Sequence, residues 1–126
     1  MKLDHITLYV TSLDRSISYY QHLLPMLGFR NLRDLVWTDD GGFYFQFMQA
    51  RPGTSDYERF GPGMNHLGFG ASSVKQVRDI QSSMQQAGFD TPTVQNLGGA
   101  TALFMKDPDG IRFEVTHYPA GMSVVD

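Results

Sequence analysis

Apolar and polar residues alternate at two places in this chain, and a histidine stands at the start of each. In residues 4–10 the alternation predicts a strand that carries Ile6, Leu8 and Val10 on one face and His5 on the other. Residues 65–71 repeat the pattern degenerately, with His66 at the equivalent point. The sequence therefore indicates one structural unit written twice.

A helical pattern follows each of these strands. Ser12 is the candidate N-cap of the first helix, and Pro25 is expected to kink or tighten its end before Gly28 terminates it. In the second helix Ser72 or Ser73 is the candidate N-cap, and Gly88 marks the end. The apolar stripes are Ile17, Tyr20, Leu24 and Leu27 in the first helix, and Val74, Val77, Ile80, Met84 and Ala87 in the second.

Short strands complete each half of the chain. Residues 42–48 are the clearest in the first half, and residues 101–106 and 111–118 are predicted in the second. The turn Asp107-Pro108-Asp109-Gly110 matches residues 39–42 and is interpreted as structural rather than as a cation site. The pattern predicts an α+β fold in which two βαβββ repeats, about 1–50 and 64–118 with linker 51–63, form a single domain spanning residues 1–126.

Composition narrows the class of protein. Hydrophobic residues make up 41% of the 126, which is typical of a globular chain. A net charge of −3 argues against nucleic-acid binding, and the absence of cysteine excludes disulfides, thiolate metal sites and a cysteine nucleophile. Neither an apolar leader nor a run of 18 apolar residues is found, so we expect a cytoplasmic protein without a membrane partner.

Four side chains with metal-binding chemistry lie at equivalent points of the two repeats. His5 and His66 open them, and Gln46 and Glu114 stand near their ends. Imidazole nitrogen and carboxylate oxygen suit one divalent ion of Fe, Mn, Ni, Co or Zn, whereas Gln46 either ligates the metal or hydrogen-bonds across a cleft. Side-chain alternation further nominates Tyr9, Tyr44, Met48, Arg112 and Tyr118 as substrate-binding residues, to which Trp37 is added as an aromatic contact. His22 and His117 are interpreted as bystanders.

Several of these segments together resemble the vicinal oxygen chelate superfamily, which includes glyoxalase I, extradiol dioxygenases, fosfomycin-resistance transferases and bleomycin-resistance proteins. They are residues 4–20, 27–29, 65–69, 107–110 and 113–115. The resemblance implies two βαβββ modules that form a curved mixed sheet around a cleft, with helices on the outer face, and a homodimer as the expected assembly. It also implies that His5, His66 and Glu114 are metal ligands.

Two positions depart from particular members of that superfamily. Gln46 stands where glyoxalase I normally has a glutamate, and Val94 stands where the fosfomycin enzymes have a lysine. The expected function is therefore a metal-dependent enzyme, of lyase, isomerase or dioxygenase type, that acts on a small oxygen-bearing substrate chelated to the metal. In a glyoxalase-like reaction Glu114 would be the catalytic base. The alternative is a protein of the bleomycin-resistance type that binds and sequesters a small molecule without catalysis.

Overall fold

The computed structural model describes residues 1–124 and divides the chain into two compact units. The first comprises Met1–Tyr57 and the second begins at Glu58. The division falls inside the predicted linker 51–63. Among the described residues, no helix combines the length and the apolar character needed to cross a membrane.

The first unit is a four-stranded sheet with one helix. It contains β1 (His5–Val10), α1 (Leu13–Leu23), β2 (Arg30–Arg33), β3 (Val36–Thr38) and β4 (Tyr44–Gln49), and a 3-10 turn (Leu24–Leu27) follows α1. The strand order is β1-β4-β3-β2, in which β1 runs parallel to β4 and the other neighbours are antiparallel.

The second unit repeats this topology. Its elements are β5 (Leu67–Gly70), α2 (Val74–Gln86), β6 (Gln95–Leu97), β7 (Ala100–Lys106) and β8 (Arg112–His117), in the sheet order β5-β8-β7-β6. Again the first and last strands of the unit pair in parallel. The predicted α+β class and the βαβββ order of both repeats are thus confirmed, each repeat having its own mixed sheet.

Serine side chains cap both helices at their N-termini. The Arg15 backbone N–H donates to Ser12 Oγ over 3.3 Å, and that of Gln76 donates to Ser73 Oγ over 3.1 Å. Of the two serines proposed for α2, Ser73 is therefore the cap. Pro25 lies in the 3-10 turn, and Gly28 ends it.

The core of the first unit lies between α1 and one face of its sheet. Tyr20 packs on Phe47 with a centroid separation of 4.6 Å, and Phe45, Leu8 and Val10 are also buried. The buried helical residues are Ser16, Tyr19, Tyr20, Leu23 and Leu24, whereas the predicted stripe members Ile17 and Leu27 are only partly buried. The buried residues follow the i, i+3, i+4, i+7 and i+8 spacing of one α-helical face, and Ile17 lies beside that face. Leu27 lies in the 3-10 turn, whose three residues per turn rotate it relative to an α-helix.

The core of the second unit follows the predicted stripe more closely. Val77, Ile80 and Met84 are at most 2% exposed and lie on the face of α2 that contacts β7 and β8. The terminal members of the stripe are exposed: Val74 is the first residue of α2, and Ala87 is its C-cap.

The same turn leads into the last strand of each unit. Asp39 Oδ1 accepts hydrogen bonds from the backbone N–H groups of Gly41 and Phe43, and Asp107 Oδ1 accepts them from Asp109 and Ile111. The fourth residue of each turn is a glycine with positive φ, 95° at Gly42 and 80° at Gly110. This geometry agrees with the predicted match between residues 39–42 and 107–110. It also agrees with the interpretation of residues 107–110 as a structural turn.

Candidate functional site

His66 and Glu114 are brought together in the second unit. His66 directly precedes β5, and β5 pairs in parallel with β8 so that Gly68 stands opposite Glu114. His66 Nε2 lies 3.5 Å from Glu114 Oε2, and the two side chains are 42% and 15% exposed. Both polar ends therefore remain reachable from a cavity of about 630 Å³ that they help to line.

Glu114 is held by neighbours on its own strand and just beyond it. Its Oε1 accepts hydrogen bonds from Thr116 Oγ1 at 3.3 Å and from the Tyr118 hydroxyl at 3.2 Å. Burial, and then the nearby Glu114 carboxylate, raise the pKa of Tyr118 above its ordinary value, so the phenol stays protonated and remains a donor. These contacts leave Oε2 as the oxygen that faces His66.

Each candidate histidine has an oxygen partner supplied by the residue before it. His5 Nδ1 lies 2.5 Å from Asp4 Oδ1, and His66 Nδ1 lies 2.7 Å from Asn65 Oδ1. An oxygen acceptor at this distance favours the tautomer with the proton on Nδ1, which leaves a lone pair on Nε2. Ligating histidines in metal sites commonly have this kind of support.

The first unit holds His5 and Gln46 on the rim of a second cavity. This cavity, about 420 Å³ in volume, is also lined by Asp4, Arg33 and Tyr44, with Leu32 and Val36. Gln46 stands opposite Thr7 in the parallel β1–β4 pair, and Thr7 Oγ1 donates to Gln46 Oε1 over 3.3 Å. A carbonyl oxygen has two lone pairs, so this bond leaves Gln46 one further acceptor position.

The proposed substrate-binding residues lie in four different surroundings. Tyr9, Tyr44 and Met48 are 47%, 38% and 40% exposed and share the face of Gln46, while Tyr118 lines the 630 Å³ cavity of the second unit. Arg112 is partly buried and is not among the residues that line that cavity. Trp37 pairs with Phe45 and is buried at 6% exposure, so its placement gives no support to a role in substrate contact. These substrate-binding roles stay predictions.

The candidate metal ligands are therefore divided equally, with one histidine and one oxygen donor in each unit. Within each unit the described residues contain no group of three or more His, Cys, Asp or Glu side chains that could hold an ion. Sequence reasoning missed Asp4 and Asn65 as orienting residues. The signal for them was present, because a side chain with a terminal oxygen precedes the histidine in both repeats.

The chain belongs to the Glyoxalase/Bleomycin resistance protein/Dioxygenase superfamily, whose family model matches residues 2–115. This confirms the resemblance drawn from the sequence segments. Among curated proteins, the uncharacterized protein YqjT of Bacillus subtilis (strain 168) is 30% identical over 124 residues, which cover 90% of this chain and 96% of YqjT.

Solved structures share the fold. A candidate glyoxalase from Bacillus halodurans is 25% identical, with a TM-score of 0.81 over 92% of this chain and 95% of the other. The fosfomycin resistance protein FosX from Listeria monocytogenes is 17% identical, with a TM-score of 0.71 over 95% of each chain. At 17% identity, the similarity to FosX concerns the fold alone.

Proposed function

We propose that this protein is a metal-dependent enzyme that acts on a small oxygen-bearing substrate. The ligands proposed for one divalent ion are the residues expected from the sequence, His5, His66 and Glu114 with Gln46. Family membership and the chemistry of the two donor pairs support the proposal.

The separation of the two donors in the second unit carries the proposal. Ligands bound tetrahedrally at about 2.0–2.1 Å from one metal ion stand about 3.3 Å from each other. His66 Nε2 and Glu114 Oε2 are 3.5 Å apart, which is long for a hydrogen bond and close to that ligand spacing. The donor pair therefore fits a shared ion.

The surrounding residues have defined tasks in this proposal. Asp4 and Asn65 favour the tautomer of each imidazole with the proton on Nδ1, and Thr116 and Tyr118 orient the Glu114 carboxylate. When bound, the metal would supply Lewis-acid stabilisation of negative charge that develops on a substrate oxygen. Glu114, reachable from the cavity, is the group proposed to take a proton from the substrate.

Metal content tests the proposal directly. Protein purified without chelator and then equilibrated with Zn²⁺ or Ni²⁺ should retain about one ion per chain by elemental analysis. His66→Ala, Glu114→Ala and His5→Ala should each lose most of it, and Gln46→Ala should lose less because a neutral amide is the weaker ligand. His22→Ala is the matched control, since it removes an imidazole outside the proposed set.

The proposal would be overturned by unchanged occupancy in His66→Ala or Glu114→Ala when circular dichroism shows that the variant is folded. The rival function, sequestration of a small molecule without catalysis, is favoured by the 630 Å³ cavity, which has the size of a typical ligand pocket. A folded protein that retains no ion but binds a small apolar compound would support that rival.

A further inference from the structure

The two repeats differ in the side chains that stand on the exposed face of their first strand. In β1 the face that begins with His5 continues with Thr7 and Tyr9, whereas in β5 the face that begins with His66 continues with Gly68 and Gly70. The repeat thus replaces two side chains by hydrogen atoms at the positions opposite Glu114 and Thr116.

Backbone conformation does not require glycine at either position. Neither Gly68 nor Gly70 has a positive φ, so residues with side chains could adopt both conformations. A Cβ atom built at Gly68 would meet Glu114 Cγ at 3.7 Å, and one built at Gly70 would have nothing within 4 Å. Glycine weakens a strand, and in a strand it often marks a place where a ligand approaches the backbone. Here it keeps space open above β5.

Small residues of β7, which lies beyond β8 in the sheet, extend the same space. Ala100 and Ala102 of β7 line the cavity, and Ala102 stands opposite Thr116. The remaining walls include the large apolar side chains of Leu97, Phe104 and Met122. The cavity therefore combines a floor of glycine and alanine with apolar walls, which is the form of a pocket for an apolar group.

The charges of the cavity lining restrict its occupant further. Glu114 is the carboxylate in the lining, and within the described part of the chain no lysine or arginine lines the cavity. An anionic substituent held away from the metal would have no cation to pair with, and burying an unpaired charge is unfavourable. A neutral apolar substituent meets no such penalty.

We propose that the cavity of the second unit binds the part of the substrate that does not contact the metal, and that this part is uncharged and apolar. The substrate class is then a small molecule with an oxygen-bearing end and an aromatic or branched aliphatic group at the other end. This inference rests on the proposed function, because it assigns the oxygen end to the metal.

Two vicinal diols that differ in one substituent provide the test. The compound 1-phenyl-1,2-ethanediol carries a phenyl group where glycerol 3-phosphate carries an anionic phosphate ester. Binding is followed by NMR of ¹³C-methyl-labelled methionines, in which Met122 reports on the cavity wall and the fully buried Met84 is the reference. The Met122→Leu variant assigns the Met122 signal.

We expect the Met122 methyl signal to shift saturably with the phenyl diol and not with glycerol 3-phosphate, while the Met84 signal stays in place. Gly70→Leu should weaken binding of the phenyl diol about tenfold or more, because the new side chain fills the open space without a backbone clash. Ser82→Leu adds the same side chain at an exposed position of α2 and should leave binding unchanged.

A second variant protects the test against a folding defect in Gly70→Leu. Leu97 is 46% exposed and lines the cavity. Leu97→Asp should therefore retain the fold and weaken binding of the phenyl diol, because it places a charge on the cavity wall. The inference is overturned if glycerol 3-phosphate binds as well as the phenyl diol, or if neither folded variant changes the affinity.

Each titration is run on metal-free and on metal-loaded protein, with metal content measured separately. A Met122 shift that persists in protein unable to retain metal would leave the pocket assignment standing and overturn the proposed enzyme. Retained metal without a preference for the phenyl diol would leave the proposed enzyme standing and overturn the pocket assignment.

Discussion

At the scale of single residues, the local chemistry around each histidine is repeated more faithfully than the sequence around it. Asp4 and Asn65 differ in charge, yet both place an oxygen within 2.7 Å of Nδ1 of the next residue. Such a contact favours one tautomer and limits rotation of the ring, which would leave Nε2 available to the proposed metal ion. The position before the histidine therefore belongs to the candidate site.

Removing either oxygen partner should weaken metal binding while leaving the fold intact. We expect Asp4→Ala and Asn65→Ala each to reduce metal affinity about 10-fold to 100-fold, the usual effect of losing a group that supports a ligand. Competition with a chromophoric chelator measures this. Asp56→Ala, which removes an exposed carboxylate in the linker, serves as the control; equal affinity in all three variants would contradict the orienting role.

The pKa values of the adjacent residues Asp39 and Asp40 are both lowered, but by different interactions. The Arg30 guanidinium donates to both oxygens of Asp40, at 2.7 and 2.8 Å, and this pairing lowers the pKa of Asp40. The pKa of Asp39 is lowered by the backbone N–H groups of Phe43 and Gly41 instead. In Arg30→Gln we therefore expect the Asp40 pKa to return toward its ordinary value while that of Asp39 stays low.

Carboxyl ¹³C chemical shifts followed over pH test this prediction. Because both pKa values are lower in the folded state, the stabilisation they give is present above the unfolded-state pKa of about 3.9 and is lost as pH falls through the folded values. Near neutral pH the interactions should be fully present. An Asp39 pKa that rises together with that of Asp40 would refute the separation.

At the scale of structural elements, the turn before the last strand is the best preserved part of the duplication. Its first aspartate accepts two backbone N–H groups in each unit, and this fixes where β4 and β8 begin. The two copies differ in burial, because Asp107 is 5% exposed while Asp39 lies at the surface. The turn thus contributes to the placement of Gln46 and Glu114 without touching either.

Burial should make the second turn the more sensitive of the two. Asp107→Ala leaves the N–H groups of Asp109 and Ile111 without their acceptor, and a buried unpaired donor destabilises a fold by about 1–3 kcal/mol. Urea denaturation should show that the free energy of unfolding falls by this amount in Asp107→Ala. It should fall less in Asp39→Ala, where water replaces the carboxylate. Asp107→Asn keeps an acceptor oxygen and should be milder; equal losses at residues 39 and 107 would argue against the importance of burial.

At the scale of the whole molecule, the candidate ligands come in equal pairs from two units that have the same topology. Neither pair alone completes the set of donors that a structural or catalytic metal usually has. The chain of 14.2 kDa is also expected to form a homodimer, and sedimentation equilibrium should then give twice that mass. The dimer stays a prediction that rests on the family resemblance.

Metal binding should stabilise the folded chain. A ligand that binds only the native state adds about 2.7 kcal/mol when its free concentration is 100 times its dissociation constant. For the native sequence, the midpoint temperature of thermal unfolding should therefore be several degrees higher with Zn²⁺ than with excess chelator. The difference should shrink in His5→Ala and in His66→Ala; a difference that survives in both would place the ion elsewhere.

Much of this protein was determined by its sequence alone. Side-chain alternation located the opening strands, serine and glycine marked the helix ends, and the duplicated pattern predicted two βαβββ units, because each of these signals depends on local backbone geometry. The same alternation placed Glu114 on the face of Tyr118. Trp37 was nominated as an aromatic contact, and alternation could not exclude it because three residues of β3 are too few to show which face is buried.

The tertiary structure decided what local signals do not contain. His66 and Glu114 are 48 positions apart, and only the parallel register of β5 and β8 brings Nε2 and Oε2 to 3.5 Å. The 3-10 turn after α1 rotated Leu27 relative to the stripe predicted for an α-helix. The space above Gly68 and Gly70 became a pocket only because β6, β7, β8 and the residues after β8 supply its other walls. Distances between strands depend on pairing register and packing, which sum over many residues, whereas helix ends and strand faces depend on a few neighbours along the chain.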